Sequence, residues 1–127
     1  MDEKVIVPAF IETHSSIGLP KPKRSEWSPS PQLESKKSGP YYWNESIKPE
    51  VKSSHLFESD EKASKVLQQM GFIAAATHVQ DGVMRGTGSV ISLGDIESRK
   101  AVLRADGIAF YSLKKGTSRQ TYPSSQM

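Results

Sequence analysis

The stretch Val5-Ile6-Val7-Pro8-Ala9-Phe10-Ile11-Glu12-Thr13-His14-Ser15-Ser16 decides how the rest of the sequence is read. Valine, isoleucine and phenylalanine over residues 5–13 predict a β-strand, with Pro8 as its awkward residue because proline has no N–H for the ladder. The strand runs into His14. In a barrel of βα units, a side chain at the carboxyl end of a strand points to where chemistry happens. A neutral imidazole there is also the commonest metal ligand. Ile17-Gly18-Leu19-Pro20 then turns the chain away.

Ser59 to Met70 carries the clearest helical pattern. Ser59 or Asp60 can cap its start, and Asp60 and Glu61 suit the positive end of the helix dipole. Ala63, Val66, Leu67 and Met70 follow the spacing of one buried stripe, and Gly71 stands where a left-handed residue ends a helix. Phe72-Ile73-Ala74-Ala75-Ala76-Thr77-His78-Val79 is apolar on both faces, as a buried parallel strand is. Strand, insertion, helix and strand make a βαβ unit with a right-handed crossover. Parallel neighbours present their carboxyl ends on one sheet edge, so His14 and His78 are expected near one another. The plainer reading of each is a half-buried histidine bonded to a backbone carbonyl. His55 lies in the insertion and reads as a surface residue.

The insertion, Lys21 to Phe57, is rich in Pro, Ser, Lys and Glu, and its length marks a functional loop or a linker. Its aromatic run Tyr41-Tyr42-Trp43 is expected to pin it to the body. After the second strand, Arg85-Gly86-Thr87-Gly88 reads as preceding a strand over Ser89 to Leu93. Dinucleotide binding needs the order strand, glycines, helix, so this Gly-x-Gly is not that motif. It lets the backbone pass close to another segment or a ligand. Arg85 offers a fork for a carboxylate or phosphate, against the simpler reading of a structural turn. Ala101 to Arg104 and Ile108 to Leu113 read as two short strands around a hairpin at Ala105-Asp106-Gly107.

Composition sets outer limits. The 127 residues suffice for one modest domain or part of a larger one. Apolar residues are 35% of the chain, concentrated between Ala63 and Leu113, so the region from Ser15 to Ser59 has too little apolar content to fold alone. Net charge is +3 and no run of five like charges occurs, which argues for a solvated loop surface and against nucleic acid. Without cysteine there is neither a disulfide framework nor a thiolate metal site. No apolar run approaches the roughly 20 residues of a membrane span. Asp2, Glu3 and Lys4 lead straight into strand-like sequence, so no signal peptide is expected. Tyr122-Pro123-Ser124-Ser125 resembles the opening of a helix that does not follow, and the chain reads as a segment of a bigger protein.

The first stretch resembles the first barrel strand of the amidohydrolase superfamily, an apolar strand, Pro-Gly-Phe-Ile-Asp, then His-x-His. Pro8-Ala9-Phe10-Ile11-Glu12 and His14 fit it; Ser16 stands where the second histidine belongs. Gly71-Phe72-Ile73-Ala74-Ala75-Ala76 resembles the family's second barrel strand. Asp81-Gly82-Val83-Met84-Arg85-Gly86-Thr87-Gly88-Ser89-Val90-Ile91-Ser92-Leu93 resembles the following segment in the imidazolonepropionase-like branch. Tyr42-Trp43-Asn44, Ile47-Lys48-Pro49-Glu50 and Gln120-Thr121-Tyr122-Pro123-Ser124-Ser125 look like features of large, often exported bacterial members.

The resemblance implies an α/β fold: a partial (β/α)8 TIM-like barrel over residues 1–127. It would hold the first two strands, one helix, a long insertion at 15–58 and a β excursion at 80–113. It implies hydrolysis of an amide or cyclic amide C–N bond in a small-molecule substrate by water activated on a divalent metal such as zinc. His14 would be the first metal ligand, and Ser16 marks a degenerate motif. His78 and Arg85 would line the site. The remaining ligands (a lysine or glutamate, two histidines and an aspartate) belong to later strands, so the chain by itself is expected to be catalytically incomplete. The competing expectation is a non-catalytic interaction module. Tyr41, Tyr42 and Trp43 would be its contact surface, with the basic loop steering an acidic partner.

Overall fold

The computed structural model describes residues 5–23, 30–31, 34–39 and 43–122. It is an α/β fold. The elements run β1 (Phe10–Ser15), α1 (Ser53–Leu56), α2 (Glu61–Gln69), β2 (Phe72–Thr77), β3 (Met84–Ser92), α3 (Ser98–Ala101) and β4 (Val102–Tyr111). The strands form one mixed sheet in the order β1-β2-β3-β4. β1 and β2 are parallel, and the two later pairings are antiparallel.

β1 starts later than the sequence suggests. Val5 to Ala9 are unpaired and exposed, because the ladder cannot use Pro8. The first backbone bond is Phe10 N to Gly71 O, 2.9 Å. The strand continues past His14, and Ser15 O accepts from His78 N at 3.0 Å, which aligns the ends of β1 and β2.

Helix α2 begins where its cap dictates. The Asp60 carboxylate accepts from Ala63 N at 3.0 Å, and Gly71 takes the left-handed φ of +92° that ends the helix. Its apolar stripe is only half used. Ala63 and Leu67 pack on the core, while Val66 and Met70 are more than half exposed, because the helix meets the sheet along one narrow edge. β2 likewise is buried from Ala74 to Thr77 but exposes Ile73. The core joins Ile17, Ala75, Ile91 and Leu93 to Phe57, Phe72 and Val102. Ile17, just after β1, therefore anchors the start of the insertion to the core.

Two readings of the later chain need correction. Arg85-Gly86-Thr87-Gly88 lies within β3, not ahead of it. Glycine allows this: Gly86, at φ +78°, passes against the backbone of Lys48 and Val51 where a Cβ would collide. The insertion pairs with β3 there, through Lys48 N to Met84 O and Thr87 N to Val51 O, both 2.9 Å. The segment Ala101 to Leu113 is not a hairpin. Ala101 ends α3, and β4 runs unbroken through Ala105-Asp106-Gly107. Residues 104–108 instead form a bulge, since Gly88 pairs with Ile108 and Val90 with Arg104. Asp106, at φ +50°, holds it by accepting from Thr87 Oγ1 at 3.0 Å and pairing with Lys52 Nζ at 3.2 Å.

Candidate functional site

The carboxyl ends of β1 and β2 bring three of the residues singled out in the sequence together. The His14 and His78 rings lie 4.7 Å apart, centre to centre, at 53°. Arg85 Nη1 is 3.2 Å from His78 Nε2. His14 is exposed and its Nε2 is 3.5 Å from Gln80 Nε2. His78 is fully buried, stacked at 3.7 Å and 4° on Phe110. Gly88 makes room for that stack, because a Cβ there would strike the Phe110 ring and crowd Thr77 O.

The hydrogen bonds fix the state of His78. A guanidinium only donates, so His78 Nε2 accepts, the ring is neutral and its proton sits on Nδ1. That Nδ1 is buried and has no partner among the described residues. Burial, then the neighbouring His14 ring and the Arg85 cation, lower the pKa of His78 from 6.5 to about 4. The unfolded chain therefore binds more protons than the folded one between pH 4 and 6.5. The resulting stability is complete above pH 6.5 and is lost as pH falls towards 4. The shift corresponds to roughly 3 kcal/mol. An NMR titration of the His78 ring is expected to show a midpoint near 4; an ordinary imidazole midpoint would contradict this packing.

Ser16 stands apart, half-buried at the mouth of an open cleft of about 1020 Å³ between the turn at Gly18 and the start of α2. None of His14, His78 and Arg85 lines that cleft. His55 is exposed, as its place in the insertion suggested. Tyr41 and Tyr42 lie outside the described residues, and Trp43 is half-buried.

The residues present do not form a metal site by themselves. Among the described residues no three His, Asp or Glu side chains gather to hold an ion. Glu12 Oε1 accepts from His14 N at 2.8 Å. Asp81 is paired with Lys48 and accepts from Thr117 N and Oγ1 at 2.7 and 2.8 Å. His78 directs Nε2 at a cation. What the cluster offers is donors: a guanidinium, a buried ring N–H and an adjacent imidazole, suited to holding and polarising an oxygen.

The sequence reading missed two contributors. Phe110 supplies the stacking face from β4, and the Lys48–Asp81–Thr117 clamp fixes the loop that follows His78. Burial alone would raise the pKa of Asp81, but hydrogen bonds from Lys48 and Thr117 outweigh it and hold the carboxyl below its usual range.

Neither a protein-family model nor a curated protein matches the sequence. The fold is similar to part of a solved structure. The neighbour is a solved amidohydrolase from Thermotoga maritima MSB8, with a TM-score of 0.57 and 21% identity over 94% of this chain. The chain spans 30% of that protein's length. Among the described residues no helix is long and apolar enough to cross a membrane.

Proposed function

We propose that residues 1–127 are the N-terminal segment of an amidohydrolase-type hydrolase that cleaves amide or cyclic amide C–N bonds in a small molecule. In this reading β1 and β2 are the first two strands of a (β/α)8 barrel, residues 15–58 are an insertion between them, and 80–113 are a β excursion. The observation that carries it is the meeting of His14, His78 and Arg85 at the carboxyl edge of the parallel pair, where such barrels hold their sites. The fold likeness to the Thermotoga amidohydrolase supports it. The resemblance of Asp81 to Leu93 favours the imidazolonepropionase-like branch.

A divalent metal such as zinc would take His14 as its single imidazole from this chain and its other ligands from later strands. Ser16, facing another cleft, leaves the first-strand motif degenerate. The chain alone is therefore catalytically incomplete. The test is an amide and cyclic-amide panel, followed by amine release, with the chain alone and joined to its following coding sequence. No turnover is expected from the chain alone. In the longer form His14→Ala is expected to lower kcat/KM by more than about 100-fold, beyond the cost of losing a residue that only supports a ligand. Turnover by the chain alone, or full activity in the variant, contradicts the reading.

A further inference from the structure

Arg85 is a buried cation with no acidic partner among the described residues. The residue is 9% exposed. Its Nε donates to Gly82 O at 3.2 Å and its Nη1 to His78 Nε2 at 3.2 Å. No carboxylate among the described residues comes within ion-pair distance of it. Asp81, near in sequence, is committed to Lys48 and Thr117. A carbonyl and a neutral imidazole orient a guanidinium but do not neutralise it, and a buried charge left uncompensated is costly.

A second group lacks the same kind of partner. His78 Nδ1, which carries the ring proton because Arg85 occupies Nε2, is buried without an acceptor. Two donors, one of them charged, thus lack an acceptor among the described residues. The chemistry that completes Arg85 is an oxyanion, because its planar fork matches a carboxylate or a phosphate. His78 Nδ1 faces away from Arg85 and only fixes which ring nitrogen orients the guanidinium.

We infer that Arg85, oriented by Gly82 and His78, receives the oxyanion group of an acidic substrate at the carboxyl edge of β1 and β2. That the ligand is a substrate rests on the function proposed above; the anion site itself stands on the contacts of Arg85 and His78. Arg85 would then set specificity for acidic compounds, with His78 as the residue that positions it.

The test is thermal unfolding of the full chain with glutarate, inorganic phosphate or sodium chloride at matched ionic strength, for the natural sequence, R85Q and R85M. Glutarate or phosphate is expected to raise the midpoint saturably by several degrees, and chloride is not. A response to glutarate alone assigns a carboxylate ligand, and one to phosphate alone a phosphate. Both variants are expected to lose at least about tenfold in apparent affinity. Without added anion, R85M is expected to melt only a few degrees lower, because losing a cation with no counter-charge offsets most of the cost of leaving Gly82 O and His78 Nε2 without their donor. An anion response that persists in R85Q overturns the inference, and so does a large drop in the R85M midpoint. A chain that melts gradually is read by the Arg85 Nε–Hε NMR resonance in the same titrations, where an unmoved signal also overturns it. No turnover enters these measurements. A failed hydrolase reading therefore leaves the anion response standing, and an absent response leaves the hydrolase reading untouched.

Discussion

Gly86→Ala is expected to cost the chain about 3 to 5 kcal/mol, a large share of the stability of a domain this size. Two causes add. The φ of +78° disfavours any side chain, and the new methyl would collide with Val51 O and approach Lys48 O at 2.9 Å. These neighbours are backbone atoms, so no rotamer change relieves the clash. Moving them away breaks the bonds of Lys48 N and Thr87 N that fasten the insertion to β3. Circular dichroism melting checks it: a midpoint within a few degrees of the natural chain would show that the insertion does not depend on this approach.

Asp81→Ala is expected to have the next largest effect, about 3 kcal/mol and a midpoint lower by about 10 °C. The carboxylate is 8% exposed and serves Lys48, Thr117 N and Thr117 Oγ1 together. Its removal strands a half-buried ammonium and an amide N–H, and leaving such groups unpaired costs more than the pair itself contributes. Asp81→Asn, which keeps an acceptor for Thr117 N and loses the charge, is expected to fall between. Because the Asp81 pKa is lowered on folding, its stabilisation is present above the ordinary carboxylate range and is lost as pH falls below it. The His78 loss comes first, between pH 6.5 and 4. Acid unfolding of the natural chain is thus expected in two overlapping stages, with the Asp81 variants lacking the second.

What could be read from sequence followed the range of the interactions involved. Helix α2 was legible because its cap, its Gly71 stop and its stripe all lie within a few residues of each other. The parallel pairing of β1 and β2 followed from the helix between them, and the approach of His14 to His78 followed from that pairing. β4 was misread because Ala105-Asp106-Gly107 has the local chemistry of a turn. What overrides it comes from Thr87 and Lys52, distant in sequence. The position of Arg85 inside β3 was hidden for a similar reason: only the close passage of Val51 explains glycine at 86 within a strand. The Asp81 clamp joins residues 48, 81 and 117, and no periodicity reports such a contact. Burial of Val66 and Met70 was over-assigned, since an apolar stripe says what a helix can cover and not how much of it is covered.

The pairing of β1 with β2 also determines when the site comes into being. Antiparallel neighbours close over short spans, as Thr77 meets Ser89, whereas Phe10 must find Phe72 across the whole insertion. Loop closure over that distance is the slowest of the sheet's contacts to gain. β2, β3 and β4 can therefore assemble while β1 is still searching, giving a sheet with His78 already stacked on Phe110 and His14 absent. On a ribosome the order is more pronounced, because β1 is made well before β2 and waits for its partner to emerge. The histidine pair is thus completed at the end of folding, and a chain arrested one step short has most of its sheet but lacks the approach of His14 to His78.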